Sequence, residues 1–259
     1  DVTIDRSVTI VSDAVYTVSA NTHSLIVGDG GIVSLDGSLS LTGTSTTIQV
    51  SSGGALRLPA SYTGSVSASG NNSRGILVQP KGVAYINGGS VSADGENAYG
   101  ILLGWGEDHM ANLYIDMSNT PSIDEVYYLY YGDTISFLTS FPAPFSAVLG
   151  ETKTVTLTGG ADFQVHTTYA DPPPGTSEHL NAREVEDNIF TVTPNAVGTY
   201  SLILFGSTAR SNTYIIIPVT VTSGFAGGEG TAGNPFQIAN IEQLNLVRKF
   251  LGSAHTNKY

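Results

Sequence analysis

The sequence predicts an all-β chain: a right-handed parallel β-helix (β-solenoid), then a β-sandwich, then a short C-terminal helical segment. Three observations predict it. The first is an internal repeat. Gly64–Val78 reads GSVSASGNNSRGILV and Gly89–Leu103 reads GSVSADGENAYGILL, identical at ten of fifteen positions across an offset of 25 residues. Self-similarity at a fixed period of about 20–50 residues marks stacked repeat units. The second is the content of that repeat, which is rich in Val, Ile, Leu, Ser and Gly with no helical period, so each unit is a turn of strands and not a helix pair. The third is a series of short strand-like runs, separated by turn residues, over Glu151–Ser223.

The solenoid is assigned to residues 1–118. Its opening stretch, VTIDRSVTIVSDAVYTVSA, is β-branched and alternating, as an opening coil requires. Three later segments then align without gaps: SLIVGDGGIVSL (Ser24–Leu35), TIQVSSGGALRL (Thr47–Leu58) and GILVQPKGVAYI (Gly75–Ile86). Val27, Val50 and Val78 coincide, as do Gly31, Gly54 and Gly82, and then Leu35, Leu58 and Ile86. Coils spaced about 4.8 Å apart stack equivalent positions, so these columns predict inward apolar ladders and tight glycine corners. Asn72 and Asn97 share one equivalent position and are expected to form a stacked turn ladder.

Residues 119–147 lose the period and read as irregular strands and a linker, with Pro142 and Pro144 near its end. Residues 148–223 carry the sandwich strands Lys153–Leu157, Phe163–Thr167, Asn188–Val192, Thr199–Leu204 and Thr213–Val221. The stretch TVTPNAVGTYSLIL (Thr191–Leu204) is similar to bacterial immunoglobulin-like domains. That resemblance places Tyr200 at the tyrosine corner, its hydroxyl bonded to the upstream backbone. Residues 224–259 begin with the flexible GFAGGEG and continue into a helix. Asn240 serves as N-cap, Gln243 completes a capping box, and Ile241, Leu244, Leu246, Val247 and Leu251 form its apolar face.

The pattern Gly-Thr-x-x-Asn-Pro-Phe-x-Ile-x-x-x-x-Gln-Leu in this tail resembles the entry segment of modules in large repetitive prokaryotic surface proteins, including those with GLUG repeats. The coils upstream resemble pectate-lyase-type β-helices of adhesins. The resemblance implies an extracellular, cell-surface location and a longer parent polypeptide, in which the tail starts a further repeat module.

Composition narrows the function. A net charge of −12 supplies no phosphate-seeking basic surface, which argues against nucleic-acid binding. The absence of cysteine excludes a disulfide framework and a thiolate zinc site. No apolar run reaches the ~18 residues a membrane helix needs. The chain has no signal-peptide pattern and opens inside the strand-like Val2-Thr3-Ile4, as a mature or excised fragment would.

Candidate site residues are few. Trp105, Glu107 and Asp108, with His109, interrupt the repeat and form a protruding loop. Its Trp either stacks on a sugar ring, with the two acids accepting hydroxyl bonds, or packs against the neighbouring coil or the second domain. Tyr128 and Tyr130 share one face of a strand, opposite Tyr127 and Tyr131, and offer either an aromatic platform or a packed contact. Asp94 and Glu96 alternate around Gly95 and are the best candidate oxygen ligands for one calcium ion; the plainer reading is a solvated turn. No cofactor is otherwise implied. The five histidines show no metal-ligand spacing, and His166 reads as a packed residue.

Two functions stand side by side. One is a non-enzymatic structural or adhesive segment of a surface protein: a stalk, an adhesin, or a fibre that self-associates through solenoid ends. The other is a carbohydrate-binding or polysaccharide-degrading β-helix acting on a cell-surface or extracellular polysaccharide. Catalysis is disfavoured because Arg57, Arg74 and Lys81 sit at different coil positions and no two carboxylates are spaced across a glycosidic bond.

Overall fold

The computed structural model describes residues 2–11, 15–17, 23–104, 110–130, 133–138, 141–158, 163–166, 175–208, 211–228 and 230–250. Strands come in threes. The coils hold β1 (Val2–Ile4), β2 (Ser7–Val11) and β3 (Val15–Thr17), then β4 (His23–Val27), β5 (Ile32–Asp36) and β6 (Ser40–Gly43). β7 (Thr46–Val50), β8 (Ala55–Leu58) and β9 (Ser65–Ser69) follow, then β10 (Arg74–Val78), β11 (Val83–Ile86) and β12 (Ser90–Asp94), then β13 (Tyr99–Leu103), β14 (Ala111–Asp116) and β15 (Ser122–Ile123). From β1 to β13 each strand pairs in parallel with the strand three places on, giving three sheets and a β-solenoid of about four turns. We call the sheets A, B and C after the first, second and third strand of each coil.

The repeat dictates this register. Ser65, Val66 and Ala68 sit on Ser90, Val91 and Ala93, and Ile76 sits on Ile101. The aligned valines stack too, Val27 on Val50 and Val50 on Val78. Leu25, Ile48, Ile76, Ile101 and Val126 make one buried column in sheet A, and Leu41, Val66, Val91 and Ile123 make another in sheet C. Within each column the interior members, such as Ile48, Ile76, Val66 and Val91, are covered above and below by apolar residues, so each coil buries the next.

The glycine column lies at the corner between sheets A and B. A methyl group on Gly31, Gly54 or Gly82 would come within 2.3, 2.6 or 2.9 Å of the carbonyl oxygen of Ile4, Val27 or Val50 in the preceding coil. Close approach, not torsion, is what these three positions require. The residues just before them, Gly30, Gly53 and Lys81, are left-handed, with φ of 71°, 76° and 67°. Lys81 is exposed and is the one member of that column with a side chain. Lys81→Gly is therefore expected to stabilise the chain by about 0.5–1 kcal/mol through relief of αL strain, read as a higher urea midpoint at an unchanged slope.

After the coils come β16 (Val126–Tyr130), β17 (Asp133–Leu138), β18 (Phe145–Val148), β19 (Lys153–Thr156), β20 (Phe163–Val165), β21 (Arg183–Glu186), β22 (Ile189–Val192), β23 (Gly198–Thr208) and β24 (Ser211–Thr222). The period persists two strands beyond residue 118, where the sequence reading ends it, since β15 stacks in parallel on β12. β16 still stacks in parallel on β13, with Val126 on Ile101, before turning back as an antiparallel pair with β17.

The larger departure concerns the second half. The sequence sets a sandwich beside the solenoid, whereas the structure carries sheet B on into the second half. β24 lies parallel to β14 over six register pairs, Ala111↔Ser211 to Asp116↔Ile216, and then forms a long antiparallel hairpin with β23. β18 pairs with the far part of β24, from Val219 to Thr222, and β20 extends β23. Pro218 falls between the residues paired to β14 and those paired to β18, a place where a missing N–H takes no partner from either strand. β19, β22 and β21 form a separate three-stranded antiparallel sheet. These pairings do not in themselves make an immunoglobulin-like sandwich. β21, Arg183-Glu184-Val185-Glu186, is exposed throughout, and its charges protect an open edge.

One α-helix, α1 (Ile241–Phe250), is present among the described residues, and no helix there is long and apolar enough to cross a membrane. The Asn240 side chain accepts from the Gln243 N–H at 2.9 Å, and the Gln243 side chain accepts from the Ala239 N–H at 2.7 Å, a capping box reaching one residue further back than expected. The predicted apolar face is only partly used. Leu246 is buried, close to Gly224, which Val148 also abuts, but Ile241 and Leu244 are 62% and 51% exposed.

Candidate functional site

The outward face of sheet B carries the most organised surface in the molecule. Outward positions alternate with the inward core along each strand, and the parallel register brings each one over its equivalent in the next coil. One outward column runs Thr9, Ser34, Arg57, Tyr85, Tyr114, Tyr214 and then Phe205 on β23. The Tyr85 and Tyr114 rings stack with centroids 4.8 Å apart and planes 11° apart, and Tyr114 and Tyr214 stack at 4.9 Å and 5°. Phe205 continues at 4.8 Å from Tyr214, and His166 meets Tyr214 edge-on at 5.3 Å. At the other end the Arg57 guanidinium lies 5.5 Å from the Tyr85 ring centroid. Offset stacking of this kind contributes ~0.5–1.5 kcal/mol per pair beyond area burial.

Burial raises the pKa of Tyr214 and lowers that of His166. Both shifts favour the uncharged form of those two rings. A parallel column holds Ile32, Ala55, Val83, Asn112 and Asn212, with the Asn212 amide donating to the Asn112 carbonyl at 3.1 Å. Neither column contains Asp or Glu among the described residues, in a chain of net charge −12. Near the Arg57 end, Ser7, Val8, Thr9, Ile32, Ser34 and Arg57 line a cleft of about 370 Å³. What the face presents is a half-buried strip of phenols flanked by hydroxyls, amides and one cation, with the carboxylates of Asp36 and Asp116 outward at the ends of β5 and β14.

Sequence reasoning missed this column, although a signal was there. Val83-Ala-Tyr-Ile86, Asn112-Leu-Tyr-Ile115 and Asn212-Thr-Tyr-Ile215 share Tyr-Ile, and the last two share Asn-x-Tyr-Ile.

The residues that sequence reasoning did select fall elsewhere. Trp105, Glu107 and Asp108 lie outside the described residues. Tyr128 and Tyr130 are on β16, Tyr128 paired to Leu103 and Ile135, and their side chains also lie outside the described set. Tyr127 is half-buried, with its ring 4.5 Å from Tyr99 and its hydroxyl donating to the Glu125 carboxylate.

Asp94 and Glu96 are exposed at the corner between sheets C and A. Their main-chain oxygens accept from the N–H groups of Gly70 and Asn72, both at 2.8 Å. The Glu96 N–H in turn donates to the Asn71 side chain at 3.3 Å. Asn72 and Asn97 are left-handed there, with φ of 59° and 53°, so the corner is a stacked turn ladder. A calcium ion takes six to eight oxygens. Two carboxylates with their main-chain oxygens already bonded fall short of that donor set, and no cluster of three His, Cys, Asp or Glu forms among the described residues. Asp36 serves a corner as well: hydrogen bonds from Ser61 and from the Gly37 N–H hold its carboxyl below the usual range.

No known protein family, curated protein or solved structure matches the chain. The fold and the face define it as a β-solenoid whose one sheet continues into a C-terminal hairpin and bears an aromatic ladder.

Proposed function

We propose that the chain is a non-enzymatic structural and adhesive segment of an extracellular surface protein, with the outer face of sheet B as its contact surface. One observation carries this reading. Sheet B runs without a break from β2 to β20 and displays a register-locked aromatic strip free of carboxylates. A stacked solenoid with an ordered aromatic strip suits contact and load-bearing. Within this reading the hairpin β23–β24, the sheet β19–β22–β21 and the tyrosine corner form an immunoglobulin-like module built onto the solenoid. Its support is the Tyr200 hydroxyl, which donates to the Val197 carbonyl at 3.0 Å. The exposed Val2 and Val11 on β1 and β2 make self-association at that end part of the same reading.

The second reading, carbohydrate binding, is favoured by the ladder itself, because phenols beside amides and hydroxyls suit a neutral polysaccharide. A polyanion would be repelled by the net charge of −12. Retention on insoluble neutral polysaccharides, measured alongside the release of reducing ends, tests both. The chain is expected to be retained without shortening the polymer. Replacing Tyr85, Tyr114 and Tyr214 together by Ser is expected to weaken retention about tenfold, a loss of ~1.4 kcal/mol. Release of reducing ends by the intact chain would overturn the non-enzymatic reading. Retention undiminished by the triple change would remove the sheet B face from it.

A further inference from the structure

We propose that Tyr114 and Tyr214 are a site of oxidative cross-linking. Given hydrogen peroxide and a peroxidase-type one-electron oxidant, their rings couple into a dityrosine that ties the C-terminal hairpin covalently to the solenoid. The two residues are register partners on adjacent parallel strands, with ring centroids 4.9 Å apart and planes 5° apart. Carbon atoms of the two rings are thus held near van der Waals distance. The strands beneath them are paired over six consecutive residues, so the rings cannot drift apart. Coupling of free phenoxyl radicals needs an encounter, and a fixed pair converts that encounter into an intramolecular step with a large effective concentration. Both rings are half-buried on an outer face, so an oxidant reaches them from solvent.

The chemistry balances. Each phenol gives up one electron and one proton and becomes a phenoxyl radical. The unpaired electron is shared with the ring carbons beside the hydroxyl-bearing carbon. One such carbon from each ring joins in a new C–C bond. Each of the two carbons then loses its hydrogen as a proton, and each oxygen regains one. The two electrons and two protons released reduce one hydrogen peroxide to two waters. Two tyrosines and one peroxide give one dityrosine and two waters.

The position of the pair gives the link its effect. The chain has no cysteine, so it has no disulfide brace. A Tyr114–Tyr214 bond closes a long loop, the kind of closure that most restricts the unfolded chain. It also fixes the hairpin onto β14, where the second half of the molecule joins the first.

The full chain treated with a haem peroxidase and hydrogen peroxide tests the proposal. The expected product stays monomeric on a denaturing gel and shows dityrosine emission. It also yields a Tyr114–Tyr214 peptide pair two hydrogen masses below the sum of its parts. Its thermal midpoint is expected to rise by roughly 5 °C or more. Tyr114→Phe is expected to remove that peptide pair while circular dichroism stays unchanged, and Tyr85→Phe to keep it. Tyr99 and Tyr127, another close pair with planes 46° apart, are separated from it by the same peptide mapping. Links found only between chains, or only among other tyrosines, overturn the proposal. A link confined to Tyr85–Tyr114 overturns the tie between the two halves.

Discussion

Gly64→Ala is expected to cost about 3 kcal/mol or more, although it adds a single methyl group. Gly64 opens β9, where the chain enters sheet C over the corner of the preceding coil. A Cβ there would lie 1.8 Å from the Leu39 carbonyl oxygen and 2.6 Å from its carbon. Both are backbone atoms, so no rotamer change can relieve the contact and the coils must separate locally. Tyr62 compounds the problem. Its hydroxyl, buried, donates to that same Leu39 oxygen at 2.8 Å, and a shift of Leu39 would strain this bond as well. Gly150→Ala is the matched control. Gly150 is left-handed at φ 72° with nothing within 4 Å of its absent Cβ, so only torsional strain of about 1 kcal/mol is expected. Equal losses in chemical denaturation would show that the contact at Leu39 is not what Gly64 avoids.

Ile76→Ala is expected to cost about 4 kcal/mol. Ile76 is fully buried, with Ile48 below and Ile101 above in sheet A. Neighbours held by two parallel ladders cannot collapse into the vacated volume, which puts the change toward the upper end for a buried isoleucine. Ile4→Ala should cost only about 1 kcal/mol, because Ile4 is partly exposed in the first coil and has a stacked partner on one side alone. The ratio between the two denaturation midpoints measures how far stability depends on being stacked from both sides. A loss at Ile4 as large as that at Ile76 would count against this nearest-neighbour account.

The solenoid was legible because its core repeats. Each inward residue must match the volume of the residue above and below it, so columns such as Val27, Val50 and Val78 are written into the sequence. The corner glycines were legible for the same reason, since every coil has to pass equally close to the last. The join at β24 was not. Thr213–Ile217 reads equally well as a strand of any β module, and a hydrophobic pattern carries no information about which edge it pairs with. Outward columns are harder still, because solvent imposes no common volume on them. Tyr85, Tyr114 and Tyr214 are therefore brought together by the register alone, and the trace of it in the sequence is Asn-x-Tyr-Ile at both 112–115 and 212–215. The helix shows the opposite error. Its periodicity predicts a buried face, yet Ile241 and Leu244 stand in solvent. Amphipathic spacing states what a helix can bury, not what is there to cover it.

The pairing of β14 with β24 also sets a timetable. Asn112 and its partner Asn212 are 100 residues apart. At synthesis rates of ~5–20 residues per second, the top edge of sheet B waits roughly 5–20 s for its cover. The earlier coils need no such wait, since each receives its neighbour as soon as the next coil emerges. During that interval β14 presents a parallel edge with alternating apolar residues, the kind of edge that recruits strands from other chains. A chain halted before Ser211 would carry it permanently. The hairpin β23–β24 is therefore the step that covers the β14 edge, and the order in which the halves emerge decides how long that edge stays open.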